Sequence, residues 1–250
     1  MRIFKSLAVL ALAMSSFQGC SSSTSTPNPV TPTSVTYTVN AAYTYKQNRL
    51  DTANGAYGQD KMDPTMTDTI TSTVVALNQT FQLKTGVTYI QNKHSLTGLM
   101  DTTYIAQENG NYWHYNYGLE SVNNNPAVIG FIGAPVQNGW VLQAKLGAVK
   151  GDTWLSDSTT VTIGSFGNAD LTLHAVEQAD TTIMVNGASV AAKHVFHTLV
   201  LKSFVTVTGY VDTYVSASTG MTLNVVHSSA AIPPVYNKQI SGSQTLLLSH

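Results

Sequence analysis

Short stretches of this chain alternate apolar and polar residues, and turn-forming residues separate them. The longest such run is 35–46, where Val35, Tyr37, Val39, Ala41, Tyr43 and Tyr45 share one parity and Thr36, Thr38, Asn40, Thr44 and Lys46 the other. A period of two puts successive side chains on opposite faces, so the run predicts a strand with one buried and one wet side. Residues 47–65 are polar and rich in turn formers, with Asn54-Gly55 as their tightest point, and predict a long loop or a loose hairpin connection. β-Branched and aromatic residues predict strands over 67–77, 79–84 and 87–92. Residues 99–107 and 112–117 flank Glu108-Asn109-Gly110-Asn111. Asn-Gly suits a type I′ turn, whose central residues both need φ > 0, and this predicts a hairpin.

Residues 118–139 interrupt the pattern with Asn123-Asn124-Asn125-Pro126 and scattered glycines, around a short strand at 128–132. Strands follow at 140–144, 158–163, 170–177 and 181–185, and Asn186-Gly187 turns the chain into 192–207. Residues 188–196 read as strand rather than helix because of Val190, Val195 and the preceding Asn-Gly. Gly209 predicts a bulge. A hairpin follows, with strands 210–216 and 221–228 about Ser218-Thr219-Gly220, and beyond Pro233-Pro234 a closing strand at 238–248. No segment carries a 3.6-residue apolar period. The predicted class is therefore all-β: a curved antiparallel sheet, half-barrel or sandwich, over 35–250, divisible into halves at 35–118 and 146–250.

The first residues follow another pattern. Arg2 and Lys5 precede an uninterrupted apolar run from Leu7 to Met14, and Ser15, Ser16 and then Gly19-Cys20 follow. A positive start, an apolar middle and a small residue at the cut are the parts of a secretory signal peptide. As a helix the run reaches only ~12 Å, too short for a ~30 Å hydrocarbon core. The segment resembles a bacterial lipoprotein signal. That resemblance implies cleavage after residue 19, acylation of Cys20 and, with Ser21 rather than an aspartate next, sorting to the outer membrane. Cys20 is the only cysteine, so it has no disulfide partner. Residues 20–34 are uncharged, hold three prolines, and predict a flexible tether.

Removing Arg2 and Lys5 leaves ten basic against thirteen acidic residues. Without a basic patch, nucleic acid and electrostatic membrane docking are disfavoured, so the expected membrane contact is the N-terminal lipid. Charged residues are only 10% of the chain.

The chain offers little for catalysis. His194 and His197, three apart on a strand, fall on opposite faces and cannot share a metal. His94, His114, His174 and His227 are isolated in sequence, and Asp60, Asp63 and Asp68 lack the spacing of a calcium loop. Gly187-Ala188-Ser189-Val190-Ala191 departs from Gly-x-Ser-x-Gly and follows a hairpin turn, with no helix after it. No metal or cofactor is expected. The strongest binding candidate is the aromatic strand, with Trp113, Tyr115 and Tyr117 expected on one face and Tyr112, His114 and Asn116 on the other.

Three loose motifs, Gly151-Asp152-Thr153-Trp154, 185–195 and 214–221, resemble a module of bacterial envelope lipoproteins. The resemblance covers about 146–228. It implies a curved antiparallel sheet similar to the half-barrels of lipoprotein carriers, and no catalytic residues. The expected protein is a lipid-anchored, non-enzymatic outer-membrane protein, facing the periplasm or the surface. It binds an apolar or carbohydrate ligand on its concave face, which apolar side chains should line. A structural or adhesive surface protein and a secreted hydrolase are the alternatives.

Overall fold

A computed structural model describes residues 34–52, 60–117, 137–162, 167–203, 206–229 and 242–250. They form β1 (Ala42–Thr52), β2 (Asp60–Phe81), β3 (Lys84–His94), β4 (Met100–Glu108), β5 (Asn111–Tyr115), β6 (Trp140–Lys145), β7 (Thr153–Thr162), β8 (Asn168–Glu177), β9 (Thr181–Val185), β10 (Ala188–Lys202), β11 (Thr206–Ser216), β12 (Gly220–Ser229) and β13 (Gly242–Ser249). Among the described residues there is no helix. Every pairing is antiparallel, in the order β6-β5-β4-β3-β2-β1-β13-β12-β11-β10-β8-β7, with β9 hydrogen-bonded to the first part of β10. The predicted fold class holds: an all-β, strongly curled half-barrel.

Curling brings the two ends of the sheet together. The indole nitrogen of Trp154 on β7 donates to the Leu142 carbonyl on β6 at 3.2 Å. Lys145 lies over the same indole, 5.4 Å from the ring centre. Alternation then sorts side chains to one interior. Along β8, Ala169, Leu171, Leu173, Ala175 and Glu177 are all buried, and along β10, Val195, His197 and Leu199. Leu171 and Leu173 have no exposed surface, and each such burial contributes about 1.5–3 kcal/mol. From the other wall come Tyr43, Tyr45, Ile70, Val74 and Ile90. Val185 of the β9–β10 hairpin joins the same core.

The Asn-Gly pairs at 109–110 and 186–187 make the predicted two-residue turns, with φ of 53° and 76° at Asn109-Gly110 and 49° and 78° at Asn186-Gly187. The opening run is not one strand. Asn40 sits at φ 67° and breaks it, so β1 begins only at Ala42. Residues 34–38 instead cross the open end of the half-barrel. The Val35 amide donates to Gln107 Oε1 at 2.6 Å, Gln107 Nε2 donates to the Val35 carbonyl at 2.8 Å, and the Thr36 amide donates to the Ala217 carbonyl.

Of the two readings of 47–65 the long loop is corrected and the hairpin connection holds, over a shorter span. β1 runs on to Thr52 and β2 starts at Asp60, because each has a neighbour to satisfy its backbone. Pro64 falls in a bulge, where Asn48 pairs with Thr67 but Arg49 with Asp63, and a missing N–H costs no ladder bond there. Asn54-Gly55 lies outside the described residues. The two strands predicted over 67–84 are one, bent at Asn78, where φ is 57°. The predicted bulge at Gly209 is absent; Gly209 pairs regularly with Leu199 and Ser228, and the register shifts at Tyr214/Val215 instead. The strand predicted at 128–132 lies outside the described residues.

Candidate binding cleft

The concave face holds a cleft of about 540 Å³ between the β1–β6 wall and the strap at 34–38. Register explains its lining. Tyr45 pairs with Ile70 on β2 and with Leu247 on β13; two residues along, Gln47 faces Thr245 and Asp68, and two residues back a separate rung runs from Tyr43 to Ser72, Asn92 and Asp101. The polar members hydrogen-bond along these two rungs. Gln47 Nε2 donates to Thr245 Oγ1 at 3.1 Å, Ser72 Oγ to Asn92 Oδ1 at 2.7 Å, and Asn92 Nδ2 to Asp101 Oδ1 and Thr103 Oγ1. Ile70, Ile90 and Ile105 lie between these polar groups. The lining is therefore mixed where an apolar one was expected: neutral amides and hydroxyls stand among isoleucines and tyrosines.

Charge gathers at one rim. His94 Nδ1 contacts Asp68 Oδ2 at 2.7 Å, and its Nε2 contacts Asp101 Oδ2 at 3.0 Å. Burial works against the imidazolium, but bonds from Asp68 and Asp101 outweigh it and raise the His94 pKa. Burial likewise opposes the Asp68 carboxylate, but the Leu96 amide, His94 and Ser95 outweigh it and hold its pKa low. Ser95, Asp68 and His94 thus converge, as a hydrolase would require. Their order is wrong, because Ser95 Oγ donates to Asp68, at 2.9 Å, rather than to the histidine. A nucleophile is activated by an imidazole that stands between it and the carboxylate. Both His94 nitrogens are already held by carboxylates.

The floor is neutral. Burial pushes the His114 pKa down to about 4 and raises those of Tyr45 and Tyr112 above the usual phenol value. Tyr112 has 1% exposure, and its hydroxyl shares a hydrogen bond with that of Tyr37 in the strap. Tyr117 is fully buried, bonded to the Thr213 hydroxyl, with its ring 5.4 Å from those of His114 and His197. Burial also lowers the His197 pKa to about 4.

The four aromatic candidates therefore divide. Tyr112 and Tyr117 face the interior, while Trp113 and Tyr115 take the opposite face of β5. Tyr117 departs from the predicted face because Asn116, at φ 60°, turns the chain just after β5 ends. Tyr115 borders the cleft, but its ring packs with Phe81, Tyr104 and Trp140. Lys84 lies 4.1 Å from the Trp113 ring centre and pairs with Glu108 at 2.8 Å. The tip of the β2–β3 hairpin closes over this cluster, the Trp140 indole donating to the Gln82 carbonyl at 2.9 Å. Cys20 lies outside the described residues. His194 and His197 do take opposite faces. His194 stacks on Tyr214 and bonds Asp212, whereas His197 is interior.

Gln47, Ser72, Asn92, Asp101 and Gln143 were not singled out from sequence. A signal was present in the first three: each polar residue continues an apolar parity, as in Tyr43-x-Tyr45-x-Gln47, Ile70-x-Ser72-x-Val74 and Ile90-x-Asn92.

No protein-family model matches the sequence, and no curated protein does. Two crystal structures share the fold. One is a "putative lipoprotein" from Parabacteroides distasonis, at 12% identity and a TM-score of 0.53, covering 86% of this chain and 96% of its own. The other is a "putative exported protein with YmcC-like fold" from Bacteroides fragilis, at 11% identity and a TM-score of 0.50, covering 86% of this chain and 97% of its own. At such identities the likeness establishes the fold.

Proposed function

We propose that this chain is an exported, lipid-anchored protein of the bacterial outer membrane, and that its half-barrel binds a neutral carbohydrate ligand in the cleft without catalysis. Export and anchoring rest on the run ending in Gly19-Cys20, and the printed names of both fold neighbours agree with that reading. Cys20→Ala should move the protein from the membrane fraction to the soluble one and remove the diacylglyceryl mass. An unchanged membrane fraction would count against the anchor.

The observation that carries the binding reading is a pair of neutral polar contacts, Gln47–Thr245 and Ser72–Asn92, on rungs either side of the Tyr45–Ile70 rung of the cleft. Sugars present hydroxyls at their edges and C–H groups on their faces, and such a mixed wall satisfies both. An acyl chain would offer these amides and hydroxyls no hydrogen bond in place of the water it displaces. A volume near 540 Å³ is in the range of small-molecule sites.

Saturation-transfer NMR with cellobiose and with palmitate tests this. Transfer to cellobiose is expected, with palmitate unable to displace it and Thr103→Trp, which fills the cleft, abolishing it while melting is unchanged. Palmitate binding without cellobiose would restore the apolar ligand. Binding of neither would favour the structural or adhesive alternative.

A further inference from the structure

We infer that the tip of the β2–β3 hairpin is a bilayer contact, with Leu83 as its inserted side chain; this rests on the lipid-anchor reading above. Phe81 pairs with Lys84, so Gln82-Leu83 is a two-residue turn, with φ of 46° and 68°. The turns at 109–110 and 186–187 have the same form and use Asn-Gly, the pair that takes positive φ most readily. A bulky residue in the left-handed region is an outlier, and such outliers cluster at functional positions. Leu83 is also fully exposed, so no packing within the fold offsets its strain. A lone exposed leucine is ordinary; one held against its backbone preference is not. Nor is the turn loose. The Tyr89 hydroxyl donates to the Thr80 carbonyl at 3.2 Å, the Trp140 indole donates to the Gln82 carbonyl at 2.9 Å, and Phe81 stacks on Tyr104 with ring centres 3.8 Å apart. Aromatic residues of β3, β4 and β6 thus brace the tip from which Leu83 projects.

The chemistry of the tip fits lipid. Its exposed residues Gln79, Thr80, Gln82, Thr85 and Gly86 are uncharged, so none of them takes a charge out of water. Lys84 is turned back onto the fold, paired with Glu108 and lying over the Trp113 ring. Tyr89 and Trp140, both half-buried, stand behind the leucine and are residue types that suit the membrane–water interface. A stable protein partner needs about 800 Å² of complementary surface on each side. A bilayer needs no matching pocket and accepts one projecting leucine. It is also within reach: fully extended, the fourteen residues from Cys20 to Thr33 span at most about 50 Å. An acylated Cys20 therefore keeps the fold beside the lipid surface, where a contact too weak to anchor the protein still orients it.

Site-directed fluorescence tests this in the acylated protein reconstituted into phosphatidylcholine vesicles. With Cys20 carrying lipid the chain has no other thiol, so Thr85→Cys and Thr97→Cys, made separately, each take one bimane label. Both threonines are exposed, one near each end of β3. The label at position 85 should shift to the blue and be quenched by lipid carrying a doxyl group on its acyl chain, while the label at position 97 stays in water. Adding Leu83→Gly should abolish the quenching at position 85. It should melt no lower than its parent, because glycine takes φ 68° freely and the exposed leucine has no contact to lose. An unquenched label at position 85, equal quenching at both positions, or quenching that survives Leu83→Gly would overturn the inference. A protein that never joins the vesicles removes the anchor reading and this inference with it. A vesicle-bound protein whose label at position 85 stays in water removes this inference alone.

Discussion

Lys193→Met should cost the fold about 3–5 kcal/mol at pH 8, by far more than its place on a single strand would imply. Lys193 is only 2% exposed, on β10, with its stem inside the half-barrel. Its ammonium donates to the Ala148 carbonyl at 2.6 Å and to Asp180 Oδ1 at 2.8 Å, and lies 3.2 Å from Glu177 Oε1. Glu177 is 1% exposed and has no other side-chain partner. One cation therefore ties the β6–β7 connection to β8 and to the segment before β9. Methionine fills the space but leaves a buried carboxylate uncompensated.

The loss should depend on pH. Burial pushes the Glu177 pKa from 4.5 up to about 7, against the pull of Lys193. An acid whose pKa is higher folded than unfolded holds its proton more tightly in the fold. Its contribution is most favourable below pH 4.5 and declines as pH rises to about 7. Without Lys193 the Glu177 pKa climbs further, so urea unfolding of Lys193→Met should show a smaller deficit at pH 5 than at pH 8. The double variant Lys193→Met/Glu177→Leu should recover most of the deficit, since an apolar pair of similar volume replaces a buried ion pair at little cost. A Lys193→Met deficit under about 1 kcal/mol at pH 8 would refute this account.

The same region shows how far sequence reasoning reached. Gly151-Asp152-Thr153-Trp154 was picked out as a motif, and it closes the sheet: the Gly151 amide bonds the Glu177 carbonyl, the Glu177 amide bonds the Asp152 carbonyl, and Trp154 bridges to β6. Local signals of this kind carried the strands and the turns at Asn109-Gly110 and Asn186-Gly187. Long-range pairing was invisible. β1 pairs with β13 from the far end of the chain, so the polar residues of β1 form a strand that no local pattern announced. The cleft had the same difficulty. Its residues come from β1 to β6 and β13, and they become neighbours only through register. The aromatic strand drew notice because its residues are adjacent in sequence, and that adjacency is what splits them between two faces.

Gly220→Ala should be the other costly change, at about 2–5 kcal/mol, although it adds one methyl group. Gly220 opens β12 at φ 74°, where an L side chain is strained by about 1–3 kcal/mol. A Cβ there would also collide with the Tyr37 hydroxyl and sit 3.2 Å from that of Tyr112. Overpacking of a well-filled site costs roughly a further 1–3 kcal/mol. Gly110→Ala is the control: φ is 76°, yet nothing lies within 4 Å of the new methyl, so it should lose only the strain. The excess of Gly220→Ala over Gly110→Ala in urea unfolding measures the collision. Tyr37→Phe, made in the Gly220→Ala background, should recover part of that excess, because the colliding oxygen is removed. Equal losses in the two glycine variants would show that Tyr37 yields freely and that the strap is loosely held. The expected outcome has a functional side. Tyr37 belongs to the strap at 34–38, and its hydroxyl partner Tyr112 is on the cleft floor. Displacing Tyr37 should therefore weaken sugar binding together with stability, whereas Gly110→Ala should leave binding unchanged.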